Sequence, residues 1–85
     1  MRGGRPWEDV SPTVDEIGKL CDTTEGTNTL KQLVETHRNN DSYMAIFVAN
    51  VKEARGITDY YMGQRYSASL ATKSDNLMSI ERLLT

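Results

Sequence analysis

The hydrophobic residues of this 85-residue chain are concentrated in residues 41–66, DSYMAIFVANVKEARGITDYYMGQRY. This segment contains the densest apolar block of the sequence and all four tyrosines. In its first part, every second residue from Tyr43 to Val51 is apolar, which would suit a strand. We nevertheless predict a helix, because three alanines, a methionine and the capping residues Asp41 or Ser42 favour one. We expect this principal helix to run to Arg55 and to end at Gly56, in the left-handed capping position. Apolar side chains surround its first two turns, which predicts a central helix buried on several sides.

Two shorter helices are predicted before the principal helix. The first begins at Thr13 and Glu16, which match a capping box and precede apolar residues at helical spacing. The polar segment 22–28 then interrupts the pattern. A second helix is predicted from about Thr29 to His37, where apolar residues again recur every three or four positions.

After Gly56 the chain predicts a further helical region. Thr58 can cap a helix that continues to Leu70, although Gly63 weakens it by roughly 1 kcal/mol. Ser74 or Asp75 then restarts or continues this helix into the last turns.

These segments predict an all-α fold, a small bundle of four to five short helices. We assign residues 11–85 to a single helical domain and residues 1–10 to a flexible, extended N-terminal arm that contains Gly3, Gly4 and Pro6. A core of this size supplies only a few kcal/mol of net stability, which favours association with a partner.

Charge and cysteine content narrow the function classes. Ten basic and twelve acidic residues give a net charge of −2, so the domain-wide basic footprint of a nucleic-acid binder is absent. The single cysteine forbids an internal disulfide, which favours a reducing, cytoplasmic location. The longest apolar run is too short for a membrane span or a signal peptide, so we expect no membrane association.

The sequence offers little that indicates catalysis. His37 is the only histidine and lies next to Arg38 at a polar helix end, where a solvated charge is the ordinary role. Cys21 occupies an apolar helix position, which is typical of a buried, inert thiol. No spacing matches a metal site or a phosphate-binding loop. We therefore expect a non-enzymatic protein without catalytic residues, metal, cofactor or small-molecule substrate.

Tyrosine and methionine cluster after Gly56 and indicate a partner-binding face. Both residue types are enriched where protein surfaces meet. The candidates are Tyr60, Tyr61, Met62 and Tyr66. Trp7, in the arm, is either a lid on the domain or an anchor for the partner. The expected partner is a larger protein or a second copy of the chain, as in a homo-oligomer; inhibition of a host enzyme is an alternative.

Residues 14–33 suggest an alternative function, DNA binding, because they resemble a helix-turn-helix. Gly18 lies five places into the first helix, a short turn follows, and Thr27 starts the second helix in this interpretation. The residues that would approach the DNA major groove or its phosphates are Thr24, Thr27, Asn28 and Lys31. Four nearby acidic residues would repel phosphate, so DNA binding is not favoured.

Residues 42–61, SYMAIFVANVKEARGITDYY, resemble the central helix of the bacterial RNA polymerase omega subunit in its actinobacterial form. The matching positions are Lys52, Ala54, Arg55, Ile57, Asp59, Tyr60 and Tyr61. The resemblance implies a non-catalytic, chaperone-like subunit that acts in transcription. It implies that this helix contacts the C-terminal part of the polymerase's large catalytic subunit.

Overall fold

The computed structural model describes residues 7–84, in which a non-helical segment, 7–13, precedes four α-helices joined by short turns. They are α1 (Val14–Leu20), α2 (Thr24–His37), α3 (Asp41–Gln64) and α4 (Ala68–Leu83). No strand occurs within residues 7–84, so the predicted all-α class is confirmed. Of the predicted arm, residues 1–6 lie outside the described residues.

The first helix begins as the sequence predicts. The Thr13 hydroxyl accepts a hydrogen bond from the Glu16 backbone N–H at 3.2 Å, and the Glu16 carboxylate accepts one from the Thr13 backbone N–H at 2.9 Å. This capping box satisfies two backbone donors that α1 would otherwise leave unpaired. Ile17 and Cys21 are fully buried and fix the inner side of this short helix.

The predicted start of α2 near Thr29 was wrong. The helix begins at Thr24, because the Thr23 hydroxyl accepts a hydrogen bond from the Gly26 backbone N–H at 2.9 Å and caps it. Most of the polar segment 22–28 is therefore helical, and only residues 21–23 form the turn between α1 and α2.

The predicted end of α3 at Gly56 was also wrong, since the helix continues to Gln64. A glycine inside a helix costs only about 1 kcal/mol, whereas Ala54 and Thr58 on either side of it are buried and hold the backbone helical. The helix is capped by Asn40, which accepts a hydrogen bond from the Tyr43 backbone N–H at 3.2 Å, rather than by the residues that follow it.

The region after Gly56 is divided differently from the prediction. Thr58 lies inside α3, where its hydroxyl donates to the Ala54 carbonyl at 2.9 Å, and does not cap a new helix. The chain leaves the helix at residues 65–67, and Ser67 caps α4 by accepting from the Leu70 backbone N–H at 3.1 Å. α4 then continues through Ser74 without a restart.

α3 packs mainly on α4 and α1, while α2 packs on α4 and α1. The molecule measures 41 × 26 × 16 Å, and its shortest dimension is that of two packed helices. The buried core consists of Ile17, Cys21, Leu30, Val34, Tyr43, Phe47, Val51, Ala54, Leu77 and Ile80.

The expectation that α3 is buried on several sides was wrong. Its buried residues recur every three or four positions and therefore form one strip: Tyr43, Phe47, Val51, Ala54 and Thr58. Ile46, by contrast, is 56% exposed. In a two-layer fold the outer side of the longest helix has no element to cover it.

None of the helices among the described residues is long and apolar enough to cross a bilayer.

Candidate docking surface

The outer side of α3 carries a continuous exposed strip along the length of the helix. We call it the α3 strip. It consists of Ser42, Ile46, Ala49, Glu53, Gly56, Tyr60 and Gly63, all of them exposed. Their spacing alternates between four and three residues, the repeat that keeps side chains aligned along a helix that packs on another helix. The buried strip of α3 lies on the opposite side.

The C-terminal half of the strip borders a shallow apolar groove of about 490 Å³. Ile57, Tyr60 and Tyr61 line it together with Glu53 and Gly56. The two tyrosine rings meet edge to face, with centroids 5.7 Å apart and an angle of 70° between their planes. Tyr60 is 63% exposed and Tyr61 is 55% exposed, so these rings contribute little to the core of their own chain.

Gly56 forms the open floor of this groove. A Cβ atom added at Gly56 would meet no atom within 4 Å apart from its chain neighbours and the backbone of its own helix, and the same holds at Gly63 one heptad further on. Both backbone segments are therefore accessible from outside. Sequence reasoning missed Gly56 as part of a surface because it was interpreted as a helix terminator. It missed Ile46 because the first two turns of the principal helix were expected to be buried on several sides. The regular spacing of small residues from Ser42 to Gly63 was the signal that could have found the strip.

The structure divides the residues predicted for a tyrosine and methionine face. Tyr60 and Tyr61 lie together in the groove. Met62 is half-buried, because two helical positions differ by about 200° and Met62 therefore lies on the other side of α3 from Tyr60. Tyr66 is 73% exposed but follows the end of α3, in the connection to α4.

Trp7 lies far from this groove and is attached to its own domain. Its indole Nε1 donates to Glu16 Oε1 at 3.0 Å, and its backbone carbonyl accepts from the Tyr43 hydroxyl at 2.6 Å. Tyr43 lies at the start of α3, about 25 Å along the helix axis from Tyr60. Trp7 also has a φ angle of 65°, which is uncommon for a residue with a side chain and is retained where surrounding contacts hold it. These contacts hold Trp7 against its own domain.

The residues suggested for DNA contact do not share one exposed face. Thr24 and Asn28 are exposed and Lys31 is half-buried on one side of α2, but Thr27 is buried and its hydroxyl donates to the Thr23 carbonyl at 2.7 Å. The exposed side continues into Glu35, whose carboxylate would repel a phosphate backbone.

The two residues with the greatest chemical reactivity are both in packed environments. Burial raises the pKa of the Cys21 thiol from 9.0 to about 11. The expectation that His37 is solvated was wrong, because its ring is buried and stacks on Tyr43, with centroids 3.7 Å apart and planes 12° from parallel. Among residues 7–84, no three His, Cys, Asp or Glu side chains converge in a way that could hold a metal ion.

Ion pairs attach α4 to α3 and to the turn after α1. Arg55 Nη1 lies 2.7 Å from Glu81 Oε1, and Arg55 Nε lies 3.7 Å from Asp59 Oδ2. Lys73 Nζ lies 3.2 Å from Asp22 Oδ1, which attaches α4 to the turn after α1. Arg55 is therefore directed toward α4 and not toward the α3 strip.

Comparisons of the chain with protein-family models, with curated proteins and with solved structures find no match. The resemblance to the polymerase omega subunit therefore depends on residues 42–61 alone. In the structure these residues lie within one uninterrupted helix.

Proposed function

We propose that the chain is a small, non-catalytic helical binding protein that docks on another protein, or on a second copy of itself, through the outer side of α3. One observation carries this proposal: Ile57, Tyr60 and Tyr61 stand exposed around an open glycine at the surface of a long helix. Tyrosine side chains are among those that dominate binding energy, and truncation of such an anchor costs about 2 kcal/mol or more.

The omega resemblance supports a more specific form of this proposal, in which the partner is the large catalytic subunit of a bacterial RNA polymerase. Of the matching residues, Ala54 is buried and Arg55 pairs with Glu81, so both serve the fold of this chain. Ile57, Tyr60 and Tyr61 are exposed and would form the contact.

Affinity capture with paired variants tests the proposal. The double substitution Tyr60→Ser and Tyr61→Ser removes the groove walls without touching the core, because both rings are more than half exposed. Tyr66→Ser is the matched control, since Tyr66 is an exposed tyrosine outside the groove.

We expect the native chain and the Tyr66→Ser control to retain the same stoichiometric partner, and the double variant to lose it. Recovery of the polymerase large subunits supports the omega form, and their absence from the captured material contradicts that form. Identical capture by the native chain and the double variant contradicts docking through α3.

A further inference from the structure

We propose that the occupant of the α3 strip is a second copy of this chain, paired with the first through antiparallel α3 helices. The inference depends on the proposed function and names its partner. Its basis is that the strip is complementary to itself in size and in charge when two copies run in opposite directions.

Size complementarity follows from the order of side chains along the strip. Every second member is small, and these small residues recur at intervals of seven: Ser42, Ala49, Gly56 and Gly63. The members between them are larger: Ile46, Glu53 and Tyr60. In an antiparallel helix pair, residues of one series face residues of the other series, so each larger side chain meets a small one.

One register uses most of the length of α3. It places Ile46 over Gly63 of the other copy, Tyr60 over Ala49, and Glu53 over Gly56. The absence of a Cβ atom at Gly56 and Gly63 lets the larger side chains reach the partner backbone, with no atom of the same chain within 4 Å to block them. A parallel pair would instead place each small residue against its own copy, which leaves gaps along the interface.

Charge selects the same register. Lys52 and Asp59 flank the strip on one side and are both exposed. In the antiparallel register Lys52 of each copy lies beside Asp59 of the other, so the pair forms twice. Asp59 is available for this contact because its own-chain contacts are long, 3.7 Å to Arg55 Nε and 3.4 Å to the Ser74 hydroxyl. A shift by one heptad would place Lys52 opposite Lys52.

The area available sets the expected affinity. Ile46, Ile57, Tyr60 and Tyr61 are each between 43% and 63% exposed. If Ile46, Ile57 and Tyr60, which lie in or beside the strip, each bury roughly 100 Å² more, two copies together bury about 600 Å² of apolar surface, which is less than the roughly 1,200 Å² of a stable specific interface. We therefore expect a weak, reversible dimer, because interfaces of this size are typical of transient association.

Analytical ultracentrifugation from about 1 µM to 1 mM covers the concentrations at which a weak dimer forms and dissociates. The discriminating variant is Gly56→Leu, because its side chain enters open space in the monomer but occupies the contact with Glu53 of the other copy. We expect the dimer to weaken by about tenfold or more, as overpacking of a close contact predicts. Ser69→Leu adds the same side chain at an exposed position of α4 and is the control that leaves the dimer intact. Circular dichroism verifies that both variants remain helical.

Disulfide trapping tests direction and register independently. Ile46→Cys and Gly63→Cys chains are mixed and oxidised. Antiparallel pairing predicts the mixed disulfide and little of either homodimer, because two copies of position 46 lie about 25 Å apart along the helix axis. The native Cys21 does not compete, since it is fully buried and its thiol pKa is raised to about 11.

A chain that stays monomeric across the concentration range, a dimer insensitive to Gly56→Leu, or preferential homodisulfides each overturn the inference. If the chain is monomeric but still captures a larger protein through Tyr60 and Tyr61, self-pairing fails and the proposed function stands. If neither self-association nor tyrosine-dependent capture occurs, both fail.

Discussion

Substitution of Gly26 by alanine is a sharp test of how α1 and α2 meet. Gly26 lies in the first turn of α2, where the chain returns over the end of α1. A Cβ atom at this position would overlap the Leu20 carbonyl oxygen and lie 2.8 Å from both the Leu20 carbonyl carbon and Cα. All three are backbone atoms, so no side-chain rotation can relieve the overlap.

The expected magnitude is the difference between two opposing effects. Alanine in a helix interior is more favourable than glycine by about 1 kcal/mol. Overpacking costs typically about 1–3 kcal/mol, and we place this site at or above the upper end because the backbone must shift. We therefore expect Gly26→Ala to lower the free energy of unfolding by about 2 kcal/mol or more. A loss of this size is a large part of the total free energy of unfolding of so small a domain.

Urea denaturation followed by circular dichroism measures this change. With a denaturant slope near 1 kcal/mol per M, the midpoint should fall by roughly 2 M. Gly56→Ala and Gly63→Ala are matched controls, because their Cβ atoms would meet nothing within 4 Å, and each should raise the unfolding free energy by up to about 1 kcal/mol. A Gly26→Ala midpoint equal to or above that of the native chain would refute the close approach of α1 and α2.

Three further predictions concern the region around Trp7 and the buried thiol. Hydrogen bonds from the Thr13 backbone N–H and, secondly, from the Trp7 indole hold the pKa of Glu16 below its ordinary value of 4.5. These contacts therefore stabilise the fold above that pH, and the stabilisation is lost as the pH falls through the lower pKa of Glu16 in the folded chain. The Trp7 fluorescence emission should shift on acidification below about pH 4.5, and Glu16→Gln should remove that shift; an unchanged titration in the variant contradicts the assignment. Tyr43→Phe removes the hydrogen bond to the Trp7 carbonyl and should cost about 1 kcal/mol, with a red shift of Trp7 emission as the check. Cys21, whose pKa is raised to about 11, should react with a thiol reagent at pH 8 only as fast as the chain opens, and rapid reaction of the folded chain contradicts its burial.

Local signals were sufficient for the helical class and for α1. The capping box of Thr13 and Glu16 is encoded within four residues, and its two hydrogen bonds form as expected. The start of α2 at Thr24 also has a local signal, the Thr23 cap, which the spacing of apolar residues did not reveal. The continuation of α3 to Gln64 was not predictable in this way, because it depends on tertiary packing. Gly56 illustrates this: its local preference is for a helix end, but the buried residues on either side of it keep α3 continuous.

The candidate surface was partly predictable from composition. The cluster of tyrosines indicated where to look, and Tyr60 with Tyr61 form the groove. Met62 could not be placed correctly while the helix was expected to end at Gly56, since only a continuous helix determines which side it faces. The exposure of Ile46 was not predicted, because hydrophobicity alone does not distinguish a buried side of a helix from an exposed one.

The three glycines of α2 and α3 make the strongest argument that the α3 strip has a partner. Each glycine lowers helix stability by about 1 kcal/mol relative to alanine, in a domain with little stability to lose. Gly26 has a reason within the chain, since only glycine fits against Leu20. Gly56 and Gly63 have none, because a Cβ atom at either position would meet open space. A residue that weakens its own helix without an internal contact to justify it is expected at functional surfaces. Gly56 and Gly63 lie seven residues apart on the same exposed face of α3 as Tyr60. A second helix that approaches this face closely would explain why both positions are glycine.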